Sequence, residues 1–122
     1  MSDFAVSVLR ADATVVWLSL AGDLDLATVP ALREALVDAE STAPRTLLLD
    51  LSLLSFMDSS GLHCILDAQD SAERAGTRLT LVPGPSSVQR VFEMTGVDQR
   101  FEFVARTAVE ERIGLLEEPQ VS

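Results

Sequence analysis

The sequence predicts an α/β domain in which helices cover a mixed central β-sheet of about 4–5 strands. Apolar runs typical of strands alternate along the chain with segments of helical apolar spacing. The first two strand segments are separated by only a short polar break, which indicates an antiparallel hairpin. The later strands are separated by helices, as in right-handed βαβ units. The predicted order is therefore β-β-α-β-α-β-α-β-α.

Length and composition indicate one domain over residues 1–122, with a core at about residues 4–116 and an acidic tail at 117–122. Hydrophobic residues make up 48% of the chain, which is enough for a packed core. No apolar run approaches the roughly 18 residues of a membrane span, and the N-terminus has no signal-like segment. Cys64 is the only cysteine. These features predict a cytoplasmic protein.

The chain is strongly acidic, with 19 acidic residues against 9 arginines and no lysine, for a net charge of −10. Proteins that bind nucleic acids or anionic membranes normally present a basic face, which this sequence lacks. We therefore expect no direct nucleic-acid or membrane partner. The acidity is compatible with a basic protein partner, and equally with a role in solubility alone.

The first half of the chain reads as a hairpin followed by a helix. Strands are predicted at residues 4–10 and 14–21, and residues 22–25 (Gly-Asp-Leu-Asp) read as a loop. A helix then begins near Thr28, a plausible N-cap, which places Pro30 in the first turn. The predicted apolar stripe of this helix consists of Val29, Leu32, Leu36 and Ala39.

A nearly continuous apolar run predicts a buried central strand at about residues 46–51, which residues 52–56 continue or bend. This strand leads directly into a second helix. That helix spans about residues 60–75 and ends at Gly76. The junction between them, residues 58–61 (Asp-Ser-Ser-Gly), places Ser59 and Ser60 at the positive end of the helix dipole.

The rest of the chain continues the alternation. A strand is predicted at residues 78–82. It is followed by a third helix, capped by Ser86 or Ser87, and then by a short strand at residues 101–104. Thr107 and Glu110 have the spacing of a capping box, which predicts a last helix.

The residues 58–61 junction has two interpretations from spacing alone. Ser59 or Ser60 could simply cap the helix, or the free helix N–H groups could favour a negative group such as a phosphate on Ser59.

Catalysis is poorly supported, since His63 is the only histidine and no G-x-S-x-G elbow occurs. Asp23 and Asp25 are too few oxygen ligands for a metal site, and no phosphate-binding P-loop occurs. We expect no catalytic residues, metal or cofactor.

Several strings together resemble a STAS domain of the anti-sigma factor antagonist type. The strings are residues 22–25 with 27–33, residues 50–62, and residues 91–97 preceding Phe101. The similarity covers roughly residues 4–116. The Asp-Ser-Ser-Gly string with its preceding strand is specific in combination, whereas Gly-Asp-Leu-Asp alone would be a weak signal.

The resemblance implies a non-enzymatic switch. Antagonists of this type bind an anti-sigma factor, often a serine kinase of the GHKL ATPase class, and so free a sigma factor. The kinase phosphorylates the serine after the aspartate, which is Ser59 here, and a PP2C-type phosphatase reverses the modification. The implied partner-binding residues are Asp23, Asp25, Asp58, Ser59, Ser60, Gly61 and His63.

This sequence departs from the family pattern at two positions. His63 stands where the family often has glycine, and Asp23 replaces a more frequent glutamate. Two other functions remain open at this point. The domain could be a STAS interaction module of a stressosome-like or lipid-transport assembly that needs no phosphoserine, or a small hydrolase that uses Ser59.

Overall fold

The computed structural model describes residues 3–108, which form a five-stranded mixed sheet with helices. The predicted fold class and element order are confirmed within this range. The elements are β1 (Ala5–Asp12), β2 (Val15–Leu24), α1 (Val29–Glu40), β3 (Thr46–Met57), α2 (Ser59–Ala75), β4 (Arg78–Val82), α3 (Ser86–Met94), a 3₁₀ turn (Asp98–Arg100) and β5 (Glu102–Phe103). Residues 106–108 are helical, and the predicted last helix beyond them, the core limit at residue 116 and the acidic tail lie outside the described residues.

The sheet has the strand order β1-β2-β3-β4-β5. β1 and β2 form the predicted antiparallel hairpin, and the other neighbouring strands run parallel. The Asp12 carboxylate closes the hairpin turn, because it accepts hydrogen bonds from the Thr14 amide at 2.6 Å and the Val15 amide at 3.1 Å. The bond from the Thr14 amide is the main reason that the pKa of Asp12 lies below its usual value.

One face of the sheet packs against the helices and holds the main core. The whole predicted stripe of α1 is buried there. The consecutive leucines Leu47, Leu48 and Leu49 are all buried, which confirms that both faces of β3 are covered at these positions. Gly76 ends α2 at a φ of 76°, as expected of a left-handed C-terminal residue.

The second face of the sheet carries a smaller cluster of Trp17, Leu48 and Val82. Asp50 lies on the same face and is fully buried. Arg106, from the end of the described chain, reaches across this face. Its Nη1 lies 3.2 Å from Asp50 Oδ2, and its guanidinium carbon lies 5.7 Å from the centroid of the Trp17 ring. This interaction was not predicted from the sequence.

Several sequence-based boundaries were wrong. Residues 22–24 belong to β2 and do not form a loop, because they pair in parallel with the extended end of β3. Gly22 permits this with a φ of 97°, at a place where a Cβ would collide with the backbone of Asp3. Pro85, and neither Ser86 nor Ser87, occupies the N-cap position of α3. The last strand is shorter than predicted, spanning only Glu102–Phe103.

Candidate functional site

The two strings singled out in the sequence meet at one edge of the sheet. β2 and β3 are parallel neighbours, so their carboxyl ends lie together. Asp23 pairs with Phe56 and Leu24 pairs with Met57. The Asp58 amide then donates a hydrogen bond to the Leu24 carbonyl oxygen at 3.2 Å. Residues 22–25 and 58–61 therefore lie next to each other at this edge of the sheet.

Asp58 is the N-cap of α2. Its Oδ1 accepts hydrogen bonds from the Ser60 amide at 2.9 Å and the Gly61 amide at 3.2 Å. The prediction that Ser59 or Ser60 caps this helix is therefore wrong. A carboxylate suits the position better, since its negative charge also interacts favourably with the helix dipole.

Ser59 is the first residue of α2 and its side chain is exposed. Within residues 3–108 its hydroxyl makes no hydrogen bond to another residue. Ser60, one position later, is only half-exposed. The hydroxyl of Ser59 is thus available to a modifying enzyme without any rearrangement of the fold, and its role as a helix cap has been taken by Asp58.

Gly61 is buried beneath the junction and brings the two strand ends together. A Cβ at this position would lie 2.7 Å from Leu24 Cγ and 2.9 Å from Met57 Cγ. Both side chains are almost completely buried and have little room to move. Gly61 therefore acts from below the surface, by allowing α2 to pack closely against β2 and β3.

We expect Gly61→Ala to lower the free energy of unfolding by about 1–3 kcal/mol, because the added methyl group overpacks this contact. The measurement is chemical denaturation of the purified variant. Ser59→Ala is a suitable control, since it alters the same helical turn without touching the core. A Gly61→Ala protein as stable as Ser59→Ala would show that the junction tolerates a methyl group and that the packing argument is wrong.

The acidic residues of the first string have distinct roles. Asp25 stabilises the turn before α1, because its Oδ1 accepts hydrogen bonds from the Ala27 amide at 3.0 Å and the Thr28 amide at 3.2 Å. Thr28 makes no side-chain cap bond to α1. Its hydroxyl lies 2.8 Å from the Asp23 carbonyl oxygen and ties the turn back to β2. Asp23 and Asp25 are both partly exposed at the edge.

Three exposed apolar side chains near this edge were not identified from the sequence. Leu26 is 76% exposed, Leu53 56% and Phe56 47%. Leu53 and Phe56 belong to a long apolar run in which the buried and the exposed positions could not be distinguished. Leu26 follows Asp25 directly, and an apolar residue in a predicted loop was the available signal.

The site has little that would support catalysis. His63 is exposed one turn beyond Ser59 on α2, and no hydrogen bond joins the two among the described residues. Cys64 is buried, and burial raises the pKa of its thiol, which disfavours the nucleophilic thiolate. Among residues 3–108, no group of three or more His, Cys, Asp or Glu side chains is placed to hold a metal ion.

None of the described helices combines the length and the apolar character needed to cross a lipid bilayer.

The chain is similar to members of one protein family in sequence and in structure. The family model described as STAS domain matches residues 7–111. The anti-sigma-F factor antagonist RsfB of Mycobacterium tuberculosis is 33% identical over 87 residues, or 71% of this chain and 70% of RsfB. An anti-sigma factor antagonist from Mycobacterium paratuberculosis has a similar structure, with a TM-score of 0.76 at 23% identity over 91% of this chain and 94% of its own.

The phosphorylated form of the Bacillus cell fate determinant SpoIIAA also has a similar fold, with a TM-score of 0.69 at 24% identity. It covers 89% of this chain and 99% of its own. The family model spans most of the sequence. The chain belongs to the STAS domain family.

Proposed function

We propose that this protein is an anti-sigma factor antagonist that is switched by phosphorylation at Ser59. In its unphosphorylated form it binds an anti-sigma factor and so releases a sigma factor to RNA polymerase. The observation that carries the proposal is the exposed, unbonded hydroxyl of Ser59 at the start of α2, beside the capping carboxylate of Asp58. The naming of RsfB as an anti-sigma factor antagonist supports the same role.

The proposed switch needs one enzyme that adds the phosphate to Ser59 and another that removes it. We infer that the anti-sigma factor is itself a serine kinase of the GHKL class and that a PP2C-type phosphatase reverses the modification. The antagonist is then a substrate of both and has no catalytic role. Since sigma factors act on RNA polymerase, the proposed place of action is the bacterial cytoplasm.

The geometry favours a switch that works at the surface. Asp58 Oδ1 already accepts bonds from the Ser60 and Gly61 amides, which a phosphate at a helix N-terminus would otherwise use. A phosphate on Ser59 therefore points toward solvent and adds about −1.5 to −2 charges to the docking surface. Losing about 3 kcal/mol of binding free energy would weaken the complex more than a hundredfold.

The proposed docking surface combines both strings. Asp23, Asp25, Ser60 and His63 are exposed or partly exposed around Ser59 and are placed to contact the partner. Asp58 and Gly61 contribute mainly by shaping this surface, one as the helix cap and the other through close packing.

The test of the proposal is the site of phosphorylation. The purified chain is incubated with ATP and, one at a time, with the GHKL-class anti-sigma factors of the source bacterium, and phosphate is mapped by mass spectrometry. We expect one kinase to modify the wild type at Ser59 and to leave Ser59→Ala unmodified. Ser60→Ala, which removes the neighbouring hydroxyl, should still be phosphorylated. Modification that persists in Ser59→Ala, or its absence with every kinase, would contradict the phosphorylation switch.

A further inference from the structure

A row of exposed side chains runs along α2 from the proposed phosphorylation site. We call it the α2 row. It consists of Ser59, His63 and Asp67, which are spaced four residues apart and are all exposed. Residues four apart in an α-helix are neighbours on its surface, and each side chain is tilted toward the N-terminus of the helix. The imidazole of His63 is therefore tilted toward the turn that begins at Ser59.

The acidic residues further along α2 already have cations. Asp67 pairs with Arg33 of α1, with 3.3 Å between Asp67 Oδ2 and Arg33 Nη1. Asp70 pairs with Arg100, with 3.0 Å between Asp70 Oδ1 and Arg100 Nη2. Within residues 3–108, His63 itself forms no hydrogen bond or ion pair. Its charge is thus available to a group on its N-terminal side.

No arginine or lysine occurs in the segments that form this edge of the sheet. The chain has no lysine, and neither residues 22–28 nor residues 46–73 contain an arginine. The N-cap Asp58, next to Ser59 in the chain, has a carboxylate that repels a phosphate. A phosphate on Ser59 therefore has His63 as its cationic neighbour on the first turns of α2.

Carboxylates and a thiol also lie around the α2 row. Asp23 and Asp25 lie across the sheet edge, and Asp25 accepts hydrogen bonds within its own turn. Glu40 faces α2 from α1 and accepts a hydrogen bond from the Ser71 hydroxyl at 3.2 Å. Burial raises the pKa of the Cys64 thiol, which favours its neutral form. Such groups keep their charge near neutral pH, whereas histidine is the side-chain type that ordinarily changes charge there.

We propose, on the basis of the function proposed above, that protonated His63 forms an ion pair with the phosphate on Ser59. The order of the two charges is the favourable one for a helix. The anion lies four residues on the N-terminal side of the cation, and it lies at the positive end of the helix dipole. The charge of His63 then offsets part of the repulsion between the phosphate and Asp58.

The ion pair makes the phosphorylated form sensitive to pH. A phosphoserine loses its second proton near pH ~6, and histidine ordinarily changes charge between about pH 5 and 8. The doubly charged phosphate and the charged imidazole therefore coexist best between about pH 6 and 7. Because a proton on His63 stabilises the phosphorylated form, a fall from about pH 8 to about pH 6.5 favours that form more in the wild type than in a variant without the imidazole.

The test is a phosphorus NMR titration of the full chain with phosphoserine at position 59. The phosphoserine is incorporated during expression, so the measurement needs neither a kinase nor a phosphatase. The second acid dissociation constant of the phosphate should be about twofold larger in the wild type than in His63→Gln, because the imidazolium favours the doubly charged phosphate. The difference should disappear in about 1 M salt, which screens exposed charges.

Two further variants show whether the charge at position 63 is the cause. His63→Arg keeps a cation in the α2 row and should have a dissociation constant at least as large as that of the wild type. Arg90→Gln is the matched control, since it removes one positive charge at an exposed position on α3 and leaves α2 unchanged. Its phosphate should titrate like that of the wild type.

The outcomes separate this inference from the switch itself. Equal dissociation constants in the wild type and His63→Gln, or a His63→Arg protein that behaves like His63→Gln, would overturn the ion pair and leave the switch standing. An equal effect of Arg90→Gln would show that only the net charge of the domain acts on the phosphate, and would also overturn the pair. If instead no kinase modifies Ser59, the proposed function fails, whatever the incorporated phosphoserine shows.

Discussion

Replacing Ser59 with aspartate is expected to weaken binding of the anti-sigma factor by about a hundredfold, whereas Ser59→Ala should bind like the wild type. The hydroxyl makes no described contact within the chain, so removing it leaves the fold and the docking surface intact. A carboxylate at the same position must be desolvated in the complex, beside the existing charge of Asp58. A cost of about 3 kcal/mol corresponds to the expected change in affinity.

Isothermal titration calorimetry on the wild type and the two variants measures this effect directly. Ser87→Asp is the matched control, because it adds the same charge at an exposed position in the first turn of a different helix. Equal affinities for Ser59→Asp and Ser87→Asp would show that Ser59 is not within the interface.

The second large effect is expected on stability. Arg106→Ala should lower the free energy of unfolding by about 2–4 kcal/mol, because it leaves the buried Asp50 carboxylate without its cation. Asp50 is fully buried, and its Oδ1 is already bonded to the Ser52 amide at 2.9 Å. The exposure of Arg106, 42% of its side chain, places the expected cost in the lower part of the range for buried pairs. Denaturant unfolding monitored by the fluorescence of Trp17, the only tryptophan, provides the measurement.

Two further variants isolate the cause of this effect. Arg100→Ala breaks the ion pair with Asp70, in which both partners are about half-exposed, and should cost no more than about 1 kcal/mol. Combining Arg106→Ala with Asp50→Asn should recover part of the lost stability, since the buried charge is then gone. If Arg106→Ala proves no more destabilising than Arg100→Ala, Asp50 does not depend on this arginine.

The sequence predicted the fold well because its apolar periodicity is strong. The buried stripe of α1 and the buried leucines at residues 47–49 of β3 follow from spacing alone, and both are confirmed. The end of β2 could not be predicted in the same way. Residues 22–24 have the composition of a loop, yet they are extended because they pair with β3, a contact distant in sequence.

The same distinction applies to the candidate site. The dipeptide Asp58-Ser59 at a strand-to-helix junction was visible in the sequence, and the structure places it at a sheet edge beside Asp23. Which residue caps α2 was not predictable, since Asp, Ser and Thr all suit that position. Asp50 is visible in the sequence as an acidic residue inside an apolar run, which is unusual for a buried strand. Its partner Arg106 is far along the chain, and spacing could not identify it.

In the proposed switch, unphosphorylated Ser59 permits release of a sigma factor and phosphorylated Ser59 prevents it. Its most direct test is displacement of a labelled sigma factor from its complex with the anti-sigma factor that phosphorylates this chain. We predict that the unphosphorylated protein displaces the sigma factor and that the same protein, phosphorylated at Ser59, does not. Equal displacement by the two forms would contradict the account and would favour a STAS interaction module in which Ser59 carries no signal.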